Sequence, residues 1–494
     1  MVLIRQVLNP LKKLFKQTAI YGLATVLPRM LNFLLLPLYT GILVTAGYGR
    51  VSVIFSWIAI FNVFLAYGME TAFFRFYNKA DNKQGVVATS LISLMASTLV
   101  FVLLAFSFQG SMASSSGIDV RFVRYAIGIL ALDALVIIPF AWLRANEKPM
   151  KYAIIKMTNV AINLGLNLFF LLLLPKLFQE NPDGVLAGMY RPNFEISYIF
   201  LSNLVASGIT LLFMLPLYLK STYVFDTALW KQMLNYAWPV LVAGVAFTVN
   251  EVFDKILLER LLPAEIALSE TGKYTACYKL GLFMMLFATA FRMGIEPFFF
   301  SHSGTENPQK AYAQITNYFV IIGSVILLTV VVFSDLLKRL FIDEAYWEAM
   351  AIVPLILLAS FFLGIYHNLS VWYKVTDKTR FGAFISVIGA IITIGINYFF
   401  IPLIGYMASA IATLMAYGTM MVLSYYFGKS RYPVPYNFRK ILFYLGISIL
   451  FSAIAFYGFN RSLIAGCILL TLFLGLVYKL ENDKLRQIFL KQKT

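Results

Sequence analysis

The sequence predicts an all-α integral membrane protein with about fourteen transmembrane helices, arranged as two parallel six-helix repeats followed by two further helices. Composition, the lengths of the apolar stretches and an internal repeat lead there. Of 494 residues, 60% are hydrophobic and 13% charged, and the mean hydropathy is +0.79. A water-soluble chain of this length would lack the charge to cover its surface. Apolar stretches of roughly 18–25 residues recur from end to end, each long enough to cross a hydrocarbon core.

The repeat lies in short blocks at the ends of these stretches. Trp142-Leu-Arg144-Ala-Asn-Glu147-Lys148 recurs as Trp372-Tyr-Lys374-Val-Thr-Asp377-Lys378. At the same offset, Asn167-Leu-Phe-Phe170 falls on Asn397-Tyr-Phe-Phe400. At a slightly shorter one, Gly68-Met-Glu70-Thr-Ala-Phe-Phe74 falls on Gly294-Ile-Glu296-Pro-Phe-Phe-Phe300. Three matches in one order are the mark of a duplicated membrane unit.

In chain order the spans are predicted near 18–40, 49–69, 86–108, 122–143, 152–175, 196–219, 236–262, 272–299, 313–333, 348–373, 381–401, 404–428, 440–458 and 461–479. The first, from Thr18 to Tyr39, exceeds a signal-peptide core and no small-residue cleavage site follows, so it is expected to be retained. The blocks place span 2 on span 8 and spans 4–5 on spans 10–11. That shift of six is even, so the halves share one orientation, related by an axis along the membrane normal. The expected organisation is a first bundle over 1–219, a cytoplasmic linker over 220–235, a second bundle over 236–428, and two additional helices with a basic tail over 429–494.

Loop charge sets the sidedness. A cytoplasmic N-terminus puts Arg5, Lys12, Lys13 and Lys16 inside, with Arg75, Lys79, Lys83, Arg144, Lys148, Lys151, Lys374, Lys378, Arg380, Lys429, Arg431, Arg439, Lys440 and the tail from Lys479 to Lys493. Roughly 26 Lys and Arg then fall inside and about 10 outside. Both termini are expected in the cytoplasm. The net charge of +17 would suggest nucleic acid in a soluble protein; here it reflects basic cytoplasmic loops, and no nucleic-acid partner is expected. Cys277 and Cys467 lie in apolar segments and no metal-ligand spacing occurs.

Two parallel six-helix bundles plus two helices resembles the plan of the multidrug/oligosaccharidyl-lipid/polysaccharide (MOP) exporter superfamily, which includes the MATE transporters. Locally the chain resembles the polysaccharide-exporter branch, the oligosaccharide-lipid flippases. Arg29 and Asn32, the Gly68-Met-Glu70-Thr-Ala-Phe-Phe-Arg75-Phe block and the Trp142–Lys148 block carry the resemblance. It implies two lobes around a central cavity and a polyprenyl-pyrophosphate-linked oligosaccharide as substrate. The cargo would move from the cytoplasmic to the periplasmic leaflet of a bacterial inner membrane, for O-antigen, capsule or exopolysaccharide synthesis. Membrane lipids and polysaccharide polymerase machinery are the implied partners, and a monomer is expected because the cavity lies within one chain.

Ionisable residues inside spans are costly and mark function or pairing. Arg29 lies near the midplane of span 1, with Asn32 one turn on and Pro28 and Pro37 loosening the helix. A guanidinium there suits a pyrophosphate, which it can grip with two hydrogen bonds; it could equally tie helices together. Arg292 in span 8 could meet the same headgroup or neutralise Glu296 four residues on. In span 7, Glu251, Lys255 and Glu259 form one i, i+4 stripe, and Asn250 with Asp254 another. Asn250, Glu251 and Asp254 are candidates for coupling Na⁺ or H⁺, or else belong to an ion-pair ladder. Glu70, Arg75, Asp133, Lys255 and Glu296 are candidates for a gate or for structural ion pairs, Asp133 with Arg29 as its expected partner. No cofactor is expected beyond such an ion.

Two other functions compete. A MATE-like drug/cation antiporter shares the fold, but should have an acidic cavity. A multi-span glycan polymerase or ligase would usually carry a large reactive loop, and the longest here, 175–195 and 220–235, are short. Of the two histidines, His302 is expected in a loop and His367 in span 10, neither in a catalytic spacing. There is no phosphate-binding glycine loop. The chain is therefore expected not to be an enzyme.

Overall fold

A computed structural model of the chain describes residue 22, residues 26–302 and residues 307–490. Arg5, Lys12, Lys13, Lys16, Lys491 and Lys493 lie outside the described residues. No strand occurs among the described residues. Among the described residues fourteen long helices follow the order of the predicted spans. They are α1 Val26–Ile42, α2 Thr45–Lys79, α3 Lys83–Ser107, α4 Val120–Ala145, α5 Pro149–Glu180, α6 Glu195–Lys220, α7 Thr227–Leu261, α8 Ala264–Glu296, α9 Pro308–Val332, α10 Glu344–Val375, α11 Arg380–Ile404, α12 Tyr406–Arg431, α13 Phe438–Gly458 and α14 Leu463–Leu490. Twelve are long and apolar enough to cross a membrane. To these are added α1, shorter among the described residues, and α7, 35 residues long and rich in polar side chains.

Two elements differ from expectation. The segment 220–235 is helical from Thr227, because Asp226 caps the new helix at Leu229 N (2.9 Å) and Trp230 Nε1 donates to Ser93 (2.8 Å). The helix after Glu296 runs on to His302, so His302 ends a helix rather than sitting in a loop.

The helices are interrupted where the repeat predicts polar blocks. α2 breaks at Tyr67 and Gly68, at φ 32° and 72°. Gly68 is required there twice over: its φ is left-handed, and a Cβ would overlap the carbonyl of Ala237. α4 breaks at Val136 and α10 at Ser370, each shortly before its Trp block. Eight-residue helices, Gln109–Ser116 and Ser334–Phe341, precede α4 and α10 in the same way.

Contact divides the chain differently from the repeat. One compact unit holds the residues up to Thr275 together with Arg380–Ser409; the other holds Ala276–Thr379 and Ala410–Thr494. α7 and α11 thus pack with the first six helices. Within this unit α2 and the start of α8 touch backbone to backbone. A Cβ on Gly49 would overlap the Leu268 carbonyl, one on Gly272 the Thr45 carbonyl, and the Thr45 and Ser269 hydroxyls bond at 2.7 Å. Small residues let helices approach this closely in lipid, where no hydrophobic force draws them together. In the second unit α9 and α10 interlock, Gly323 under Phe361 and Gly364 under Phe319. There α14 keeps Ile464, Ile468 and Leu472 exposed along one face, as a lipid-facing helix should.

Candidate functional site

Each copy of the repeat sets an acid from one helix against a cation from another. In the first unit Glu70 of α2 is ion-paired with Arg144 of α4; in the second, Glu296 of α8 with Lys374 of α10. The blocks also build the same turn. Glu147 and Asp377 are left-handed, at φ 50° and 55°. Behind them Lys148 N donates to Leu143 O (2.9 Å) and Lys378 N to Tyr373 O (2.8 Å), closing each helix with a six-to-one bond. The third match is also physical. Asn167 and Asn397 are fully buried, and each donates to a carbonyl four residues back, Asn163 O (2.8 Å) and Thr393 O (2.7 Å). Each accepts a hydroxyl, from Tyr39 (2.9 Å) and Ser409 (2.6 Å).

The surroundings of the two ion pairs differ. In the second unit Arg292, His367 and Asn368 join Glu296 and Lys374 around a small pocket between α8 and α10. Arg292 and Lys374 are the charged neighbours of His367. Counting from Gly294 and Trp372 to Gly68 and Trp142, the first copy has Ala66, Ile137 and Ile138 at the corresponding positions. The second copy therefore gathers Arg292, Lys374 and the Glu296 carboxylate around this pocket, where the positions matched to Arg292, His367 and Asn368 in the first copy are apolar. Such a set can grip an oxyanion, the guanidinium supplying a planar fork.

Among the described residues the Glu296 carboxylate bonds to Lys374, not to Arg292 one turn back, and Glu70 bonds to Arg144 while Arg75 lies over the Tyr236 ring at 4.3 Å. Asp133 accepts from Ser207 (2.8 Å), and its charged neighbour is Lys156. Lys156 stands alone inside the fifth predicted span, a charge in an apolar stretch that the sequence itself makes legible. Arg29 and Asn32 are both exposed on α1.

The α7 polar residues tie the first unit together. Asp254 is 2% exposed and Lys255 8%. Asp254 Oδ1 accepts from Lys255 Nζ (2.9 Å) and Oδ2 from Tyr274 of α8 (2.6 Å). Asn250 donates to Ser386 O (3.1 Å) and accepts from Thr393 (2.8 Å), both on α11. Within α7, Lys255 also meets Asp254, the acid next to it in sequence, and reaches the main-chain carbonyl of Glu251 at 3.4 Å. Glu259 pairs with Arg260 at 3.3 Å.

The comparisons agree with this architecture. The structure resembles that of the lipid II flippase MurJ in an inward closed conformation, with a TM-score of 0.68 at 14% identity over 93% of this chain and 98% of that one. It also resembles an inward-facing multidrug resistance MATE family transporter of the MOP superfamily, with a TM-score of 0.64 at 14% identity over 82% and 94%. A third is a MOP superfamily transporter from Pyrococcus furiosus whose binding pocket is described as reversed in polarity, with a TM-score of 0.58 at 14% identity over 85% and 94%. No curated protein matches the sequence significantly. The MatE family model matches residues 239–399. A model described as polysaccharide biosynthesis protein matches residues 14–303, more than half of the chain. The chain is a multi-pass membrane protein that belongs to the polysaccharide biosynthesis protein family.

Proposed function

We propose that this protein is a flippase for a polyprenyl-pyrophosphate-linked oligosaccharide. It would move its cargo from the cytoplasmic to the periplasmic leaflet of a bacterial inner membrane, with both termini in the cytoplasm, for surface polysaccharide synthesis. The family match over residues 14–303 carries the proposal. The cationic cluster around Arg292 supports an anionic cargo, since two cations there face one carboxylate. Arg29, Asn32 and Arg292 are the proposed contacts to the pyrophosphate. Transport needs no bond to be made or broken by the protein, so the reading is a transporter and not an enzyme.

Coupling to Na⁺ or H⁺ through Asn250, Glu251 and Asp254 is part of the proposal. Both Asp254 oxygens already accept hydrogen bonds. A bound ion would therefore have to loosen Lys255 or Tyr274, and would drive transport only by favouring one state over the other. A cation antiporter is the second reading, favoured by the MatE match over residues 239–399.

The test is flipping in proteoliposomes. A fluorescent polyprenyl-pyrophosphate oligosaccharide is followed by an impermeant glycan-modifying enzyme, with and without Na⁺ and H⁺ gradients. The native protein is expected to expose the cargo, and Arg29→Ala to abolish exposure while inserting normally. Asp254→Asn should remove any gradient dependence. No exposure under any gradient, with uptake of cationic drugs instead, would replace this reading by the antiporter.

A further inference from the structure

The first unit contains a cavity of about 370 Å³ that the proposed transport does not use. It lies where α2 ends, α3 and α5 begin and α6 ends. Lys83, Lys148, Lys151 and Lys220 line it, with Tyr77 and Trp142, and no Asp or Glu is among its lining residues. Among the described residues none of these four lysines takes part in an ion pair. Two are held over aromatic faces, Lys148 at 4.5 Å from the Trp142 ring and Lys83 at 5.4 Å from that of Tyr77. Four like charges around one cavity repel one another, and a ligand of opposite sign relieves that repulsion. The first turns of α3 and α5, which hold Lys83 and Lys151, with Lys148 at the N-cap of α5, add helix-end dipoles of the same sign.

The cavity also has an apolar flank. Leu212, Phe213, Leu215 and Leu219 of α6 are 64, 49, 40 and 76% exposed. Phe213 itself lines the cavity, so the basic floor runs directly onto the exposed apolar face. A free anion needs only the first feature; a lipid needs both. We propose that this cavity seats the phosphate headgroup of an anionic membrane phospholipid, its acyl chains lying along α6. The site goes beyond the cargo pathway, because none of Arg29, Asn32 and Arg292 lines it. The excess of basic residues at this end places it at the cytoplasmic leaflet.

The test is lysine labelling of the full-length protein in nanodiscs, read by mass spectrometry. The discs contain phosphatidylcholine alone, phosphatidylcholine with phosphatidylglycerol, or phosphatidylcholine with inorganic phosphate added. Lys378 is the internal control: it is exposed, and the repeat matches it to Lys148. Phosphatidylglycerol should slow labelling of Lys83, Lys148, Lys151 and Lys220 about fivefold relative to Lys378. Equal slowing at Lys378 would mean only general screening and overturn the site. Equal protection by inorganic phosphate would overturn the lipid, and no protection by either would overturn both. None of these outcomes depends on whether the cargo is flipped.

Discussion

Trp142 and Trp372 occupy the same place in the repeat and live in different surroundings. Trp372 is 2% exposed; its indole donates to Ser424 O at 3.0 Å, and Gly428 leaves the room it needs, since a Cβ there would come within 2.8 Å of the ring. Trp142 is half-buried and lines the lysine cavity, with Lys148 over its face. Beside each Trp the turn and the ion pair are the same. Around the ion pairs the second copy adds Arg292, His367 and Asn368, where the first has Ala66, Ile137 and Ile138. Duplication kept the groups that close a helix and join two helices. It let the neighbouring side chains diverge, and that is where the copies have acquired different chemistry.

The largest effect should come from the two tryptophans. Trp372→Ala removes a fully packed side chain and a buried hydrogen bond, and should cost on the order of 3–5 kcal/mol. Trp142→Ala should cost less than about half of that, because its ring already faces open space. Unfolding of the purified variants in detergent measures both, and equal losses would end the contrast. Next comes the added polar cluster. Arg292→Ala should lower glycolipid flipping by roughly tenfold or more if the guanidinium grips the cargo. An unchanged rate would make the cluster structural. The smallest effect concerns what the copies share. Reversing one member of a pair, as in Glu296→Lys or Arg144→Glu, should cost about 1 kcal/mol, since both pairs are partly exposed. Exchanging both members should restore most of it, with unfolding as the measure. Rescue in one copy alone would show that only that pair is structural.

Much of the architecture was legible because it is written in short-range terms. Apolar stretches of membrane length gave the number and order of helices, and α1 to α14 follow the predicted spans. The Trp blocks gave the turns, because a left-handed Glu147 or Asp377 followed by a six-to-one bond needs only a few consecutive residues. The polar residues of span 7 were found because charge inside an apolar stretch stands out. Their partners were not. Helical spacing offers Lys255 the acids four residues away, whereas Tyr274 completes the Asp254 site from α8 and Asn250 is fixed by α11.

The sequence by itself determined the membrane class, the helix order, the duplication and the helix-closing turns, since each depends on residues close together in the chain. Only the tertiary structure decided which charges meet. Lys374 reaches Glu296 across 78 residues and Thr393 reaches Asn250 across 143. It also gathered four lysines, from three helices and the turn before α5, around one cavity. A buried polar group must find a partner wherever the fold supplies one, and that choice depends on which helices pack side by side, which no local pattern specifies.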